Sequence, residues 1–144
     1  MKVLLDFVPP TTTSQQKRLS MRNGKPMFFK NKASESAQGV YVGLLAPHVP
    51  PAPVPSPVRL SIDVTWPWRA GDLSTKAKRE HAVAAGRIPH TSKPDLDNFV
   101  KQLQDVLATM RFIESDQQVA ELHVRKFFGA KPGLCIDIET VQSL

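Results

Sequence analysis

The chain has 144 residues, 41% hydrophobic and 22% charged, the composition of one ordinary globular domain with enough apolar surface for a core. Nineteen Lys and Arg against thirteen Asp and Glu give a net charge of +6, which points to an acidic partner, nucleic acid first. No run approaches the roughly 18 apolar residues of a membrane-spanning helix, and Met1-Lys2-Val3-Leu4-Leu5-Asp6 meets an acid before a secretory core can form. The single cysteine, Cys135, excludes an intramolecular disulfide and a cysteine-rich zinc site. The expectation is one cytoplasmic domain over residues 1–144 with no membrane contact.

Lys2 to Val8 alternates through Val3, Leu5 and Phe7 and predicts a short strand that Pro9-Pro10 ends. Thr11 to Lys32 is basic and acid-free, with Asn23-Gly24 as a turn signal, and reads as a loop or irregular hairpin. Its cations include Lys17, Arg18 and Arg22, which would suit a phosphate-contacting arm. Ala33 to Ala46 predicts a helix with Ser34 as cap and Val40, Leu44 and Leu45 as apolar side, weakened by Gly39 and Gly43. Six of thirteen prolines fall between Pro47 and Pro57, a stretch expected to be an extended, stiff spacer.

Val58 to Trp66 is the clearest strand, with Val58, Leu60, Ile62, Val64 and Trp66 on one face. Pro67 to Pro94 lacks any sustained period and predicts a long basic loop carrying Arg69, Lys76, Lys78, Arg79, Arg87 and Lys93. Leu96 to Met110 is the strongest helix, through Leu96, Phe99, Val100, Leu103, Val106, Leu107 and Met110. Gln118 to Phe128 and Leu134 to Val141 predict two strands, and the glycines of Gly129-Ala130-Lys131-Pro132-Gly133 suggest a hairpin loop between them. The fold class is α+β, a small mixed sheet covered by helices.

Chemistry concentrates where the basic loop meets the strong helix. Asp95 suits an N-cap and Asp97 the first turn, where the helix dipole favours acids. Lys101 lies four residues after Asp97 and Asp105 eight, so all three share a polar strip that is either an exposed ion-pair ladder or the wall of a cleft. Asp116 follows in the turn Ile113-Glu114-Ser115-Asp116, and spacing alone does not bring it to Asp97. His48, His81, His90 and His123 lack zinc spacing and read as surface or loop residues. Trp66-Pro67-Trp68 reads as a core-edge pair, with stacking on an unpaired base as the functional alternative.

Lys93-Pro94-Asp95-Leu96-Asp97-Asn98-Phe99-Val100-Lys101, then Asp105-Val106-Leu107, then Asp116-Gln117-Gln118-Val119 resembles the signature of RusA-type Holliday junction resolvases. The likeness is close from Lys93 to Lys126 and looser around Pro9-Pro10. It implies that Asp95, Asp97 and Asp116 bind a divalent metal, magnesium or manganese, and that Lys101 is required for cleavage. It also implies a homodimer that cuts four-way junction DNA by paired symmetric nicks in recombination and repair. Two positions depart from the pattern: Arg111 stands where the family has glycine, and Ser115, with Glu114 before it, replaces an acid-rich turn. The alternatives are a nuclease for other branched DNA, or a non-catalytic DNA-binding module whose acids only cap a helix. Lys17, Arg18, Arg22, Lys76, Lys78, Arg79 and Lys93 are the expected DNA contacts, since phosphate neutralisation dominates such binding.

Overall fold

A computed structural model describes residues 1–12, 17–22, 25–30 and 32–142, with the backbone alone for 17–22, 25–30 and 32–35. In chain order the elements are β1 (Lys2–Leu5), β2 (Lys17–Arg22), β3 (Lys25–Lys30), α1 (Lys32–Leu45), β4 (Val58–Pro67), α2 (Lys76–Ala85), β5 (Arg87–Pro89), α3 (Leu96–Thr109), β6 (Val119–Gly129) and β7 (Gly133–Thr140). Short 3-10 turns lie at Ala46–His48, Ala70–Leu73 and Asp116–Gln118. The architecture is α+β, and the chain divides into two compact units. None of the described helices is long and apolar enough to cross a membrane.

The first unit comprises Met1–Pro9, Pro55–Ser92 and Gln117–Leu144. It holds a five-stranded mixed sheet in the order β1-β7-β4-β6-β5, in which β4 and β6 run parallel and every other pair is antiparallel. The alternation read in β4 is realised: Val58, Leu60, Ile62, Val64 and Trp66 are all buried. Register extends this face across the sheet, because Ile62 lies beside Ile136 and Ile136 beside Val3, while Val64 lies beside Leu134 and Leu134 beside Leu5. Burying each such aliphatic side chain contributes about 1.5–3 kcal/mol, so this row anchors the unit.

The expected β6–β7 hairpin is not formed. β4 lies between the two strands, paired with β6 on one side and β7 on the other. Their axes are thus two strand spacings apart, about 9.5 Å, a gap that Gly129 to Gly133 spans easily at about 3.3 Å per residue. Turn chemistry reports a reversal of direction but not which strand fills the gap. Gly133 is needed for a separate reason, since a Cβ there would collide with the Leu5 carbonyl.

The expected loop at 67–94 is instead built of the turn Ala70–Leu73, helix α2 and strand β5. Thr75 caps α2, its hydroxyl oxygen accepting from the Lys78 N–H at 3.2 Å, and Gly86 ends it at φ +71° with its N–H donating to the Ala82 carbonyl. Only Ala82 of α2 is buried. A helix with almost no core face leaves no apolar period to read.

The second unit comprises Pro10–Val54 and Lys93–Asp116. β2 and β3 pair antiparallel with Arg22 beside Lys25, so the basic segment carries a hairpin; Asn23-Gly24 lies outside the described residues. α1 begins at Lys32, which puts Ser34 inside the helix rather than at its cap. Among its described side chains Ala37, Tyr41 and Leu45 are buried, whereas Val40 is 41% exposed. The helix is therefore rotated from the expected face, toward the i, i+4, i+8 line that includes its aromatic residue. Tyr41 meets Phe99 of α3 edge-on at 6.3 Å.

α3 buries Phe99, Val100, Leu103, Val106 and Leu107 as its period predicts, together with Gln102, neither end of whose amide finds a hydrogen-bond partner among the described residues. It closes in a Schellman arrangement. The Phe112 N–H donates to the Leu107 carbonyl at 2.9 Å, the Arg111 N–H to the Ala108 carbonyl at 3.1 Å, and Arg111 sits at φ +66°.

The proline stretch is less uniform than a simple spacer. It starts in the turn Ala46–His48 and bends again at 51–52 and 56–57, and within the second unit the Val54 N–H donates to the Phe112 carbonyl at 2.9 Å. Within the first unit, the Pro55 carbonyl accepts from the Thr140 hydroxyl and the Pro57 carbonyl from the Val141 N–H. Prolines lack N–H donors, so they are tied down through their carbonyls.

Candidate functional site

The start of α3 carries the acids. Asp95 occupies the N-cap position with extended backbone (φ −61°, ψ 138°), and its carbonyl accepts from the Phe99 N–H at 3.0 Å. Its carboxylate makes no capping hydrogen bond. Asp97, in the first turn, is exposed, as is Lys101 one turn further. Neither forms an ion pair with a described residue, so the Asp97–Lys101 ladder that spacing allows is not made. Asp105 is half-buried and likewise unpaired among the described residues. The helix start thus presents two carboxylates and an ammonium that local structure does not consume.

Asp116 is exposed in the turn after the helix, where the Ser115 hydroxyl lies 3.4 Å from its Oδ1. Among the described residues no group of three or more His, Cys, Asp and Glu side chains is arranged to hold a metal ion. The donor chemistry of the Asp95–Asp97 pair fits magnesium, which takes oxygen ligands, keeps several waters and is commonly held by one or two carboxylates.

The expected DNA contacts divide into three groups. The side chains of Lys17, Arg18 and Arg22 lie outside the described residues. Lys93 is exposed, two residues before Asp95. Lys78 and Arg79 fold back on the turn before α2: Lys78 Nζ donates to the Gly71 carbonyl at 3.1 Å and reaches the Ser74 hydroxyl at 3.4 Å, and Arg79 donates to the Leu73 carbonyl at 3.0 Å. Lys76 faces Glu80 at 3.9 Å with both side chains largely exposed, a pair worth little.

His48, His81 and His123 are exposed as expected, but His90 is not. It is buried, stacked on Phe128 at 3.9 Å and edge-on to Trp66 at 5.0 Å, and its Nδ1 accepts from the Ser92 N–H at 3.1 Å. Burial first, then the charges of Lys126 and Arg69, pull its pKa below the usual imidazole range. Nothing local marks this residue, because its partners come from β4 and β6. Sequence reasoning also missed an ionic cluster on the sheet. There Asp63 takes two hydrogen bonds from Arg125, at 2.8 and 2.6 Å, and faces Arg87 at 3.5 Å. Partial burial pushes the Asp63 carboxyl up, but the two guanidiniums outweigh it and hold its pKa below the ordinary value. Only the β4–β6 register, which sets Asp63 beside Arg125, could have revealed it.

Uncommitted carboxylates beside a lysine, on a basic α+β scaffold, define a protein suited to chemistry on a polyanion such as a nucleic acid. Residues 8–139 match the family model for endodeoxyribonuclease RusA, and the chain belongs to that family. It is therefore a nuclease by family. It is 33% identical over 127 residues to the uncharacterised protein YqaN of Bacillus subtilis (strain 168), covering 88% of this chain and 87% of that one. It is also 26% identical over 148 residues to the crossover junction endodeoxyribonuclease rusA of Lactococcus phage r1t, covering 95% and 94% respectively.

Proposed function

We propose that this protein is a magnesium-dependent endonuclease that resolves Holliday junctions by paired nicks, working as a homodimer. The observation that carries the reading is the start of α3, where the Asp95 carboxylate is left unused by the helix cap and Asp97 and Lys101 stand exposed without ion pairs to described residues. A purely structural cap would spend the Asp95 carboxylate on the helix N–H groups. Membership of the RusA family and likeness to a phage protein named a crossover junction endodeoxyribonuclease support the substrate.

In this reading Asp95 and Asp97 hold the magnesium ion, with Asp116 as the further ligand that the family signature supplies. When bound, magnesium supplies positive charge against the scissile phosphate and makes water more acidic. Lys101 brings a fixed ammonium to the phosphate or to the departing oxygen, where charge accumulates in the transition state. Lys93 and the cations around α2 hold the DNA backbone. Two copies related by a twofold axis match the symmetry of a four-way junction and place one site at each of two opposed strands.

The test compares junction, fork and linear duplex as substrates after chelation and on return of magnesium. Junction cutting that returns with magnesium, in symmetric nicks, is the expected result. Equal cutting of all three DNAs would refute junction selectivity, and binding without cutting would reduce the protein to a DNA-binding module.

A further inference from the structure

We propose that a cleft beside Trp68 receives an unpaired nucleobase of branched DNA, an inference that rests on the DNA-cleaving reading above. The structure separates two tryptophans that the sequence places side by side. Trp66 is 4% exposed, donates its indole N–H to the Pro9 carbonyl at 2.7 Å and meets His90 edge-on. It is consumed by the fold. Trp68 is half-buried, and its indole makes no hydrogen bond, ring stack or cation contact with any described residue.

Trp68 lines a cleft of about 320 Å³ together with the apolar Ile88, Ala77 and Ala82 and the polar Asp72, Lys78 and His81. That volume is within the range of small-molecule sites, about 300–1,000 Å³. An aromatic ring, an unused N–H donor and a nearby excess of cations suit a nucleobase joined to a phosphate. The charges agree. Around the cleft, Asp72 takes two guanidinium hydrogen bonds from Arg69 at 3.0 Å and also feels the Lys78 charge, and Glu80 faces Lys76, so the four cations Arg69, Lys76, Lys78 and Arg79 outnumber the two acids. Lys78 and Arg79 are pinned by carbonyls of the preceding turn, so they are already oriented before DNA arrives. An ammonium has three hydrogens, and the contacts to Gly71 and Ser74 leave one on Lys78 for a phosphate oxygen.

A base inside a duplex cannot enter such a cleft without unstacking, whereas an unpaired base does so at the least cost. The cleft therefore favours branched or bulged DNA over paired duplex, independently of the acids on α3.

The experiment measures binding by the full chain in chelator, so that cleavage plays no part, to a paired duplex and to the same duplex carrying one unpaired thymine. Trp68→Ala is expected to weaken the bulged DNA about tenfold, the scale of one base–aromatic stack, and to leave the paired duplex unchanged; Trp68→Phe restores most of the loss. Ala77→Phe, which fills the cleft while keeping Trp68, should reproduce the selective loss if the variant Trp68→Ala proves unstable. Equal affinity changes on both DNAs, or none on either, overturn the proposal. Wild-type protein that binds neither DNA overturns the DNA-cleaving reading itself, and the cleft proposal with it.

Discussion

Arg111 offers a test of the fold that is separable from catalysis. It occupies the residue after the C-cap of α3 at φ +66°, where a side chain is strained and glycine is at ease. The left-handed conformation costs a non-glycine residue about 1–2 kcal/mol, and the looser unfolded chain of a glycine variant takes back about 0.4–1 kcal/mol. Arg111→Gly should therefore stabilise the protein by about 0.5–1 kcal/mol. For a domain of this size that is a rise in melting temperature of about 1–4 °C. The side chain is exposed and makes no ion pair with a described residue, so little is lost with it. Arg111→Ala is the control, because alanine meets the same backbone penalty and should gain nothing. Urea and thermal unfolding of the three proteins decide it. A glycine variant that melts at or below the wild type, or an alanine variant that gains as much, refutes the Schellman geometry as the source of the effect.

His90 links stability to pH. Its pKa is depressed in the fold, so the folded state binds fewer protons than the unfolded one; the stabilisation is complete above the unfolded value of about 6.5 and is lost as pH falls through the depressed folded value. His90→Phe should flatten urea stability between pH 5 and pH 7, and an unchanged acid slope would remove His90 as its cause. Neutralising Lys76, Lys78 and Arg79 to glutamine should weaken junction binding broadly and lower the slope of log affinity against log salt, read from titrations at several salt concentrations. An unchanged slope would show that these cations serve only the turn they cap.

The two strongest patterns in the sequence became its two most dependable elements. The strict alternation of Val58 to Trp66 marks a strand buried along one whole face, and the 3.6-residue period from Phe99 to Leu107 marks the helix that carries the acids. Both are local records of burial. What was not legible depended on partners distant in sequence. The insertion of β4 between β6 and β7 leaves no trace in Gly129 to Gly133, and the turn of α1 toward Tyr41 depends on Phe99 far along the chain. α2 hid for the opposite reason, since it buries little; its signals were only Thr75 before it and Gly86 after it. At the candidate site, Asp95, Asp97 and Lys101 were readable as one cluster because a helix fixes their spacing. The relation of Asp116 to them was not, because the remainder of the helix and the turn after it intervene.

The most direct measurement is junction binding and junction cutting by Asp97→Asn, assayed side by side with magnesium present. The substitution keeps the size of an exposed side chain and removes only its charge, so the fold and the cationic DNA contacts should survive. Junction affinity close to wild type with cleavage abolished is the result expected if Asp97 holds the metal. Cleavage at the normal rate would contradict the account, and would leave the acids of α3 as nothing more than favourable charges at a helix N-terminus.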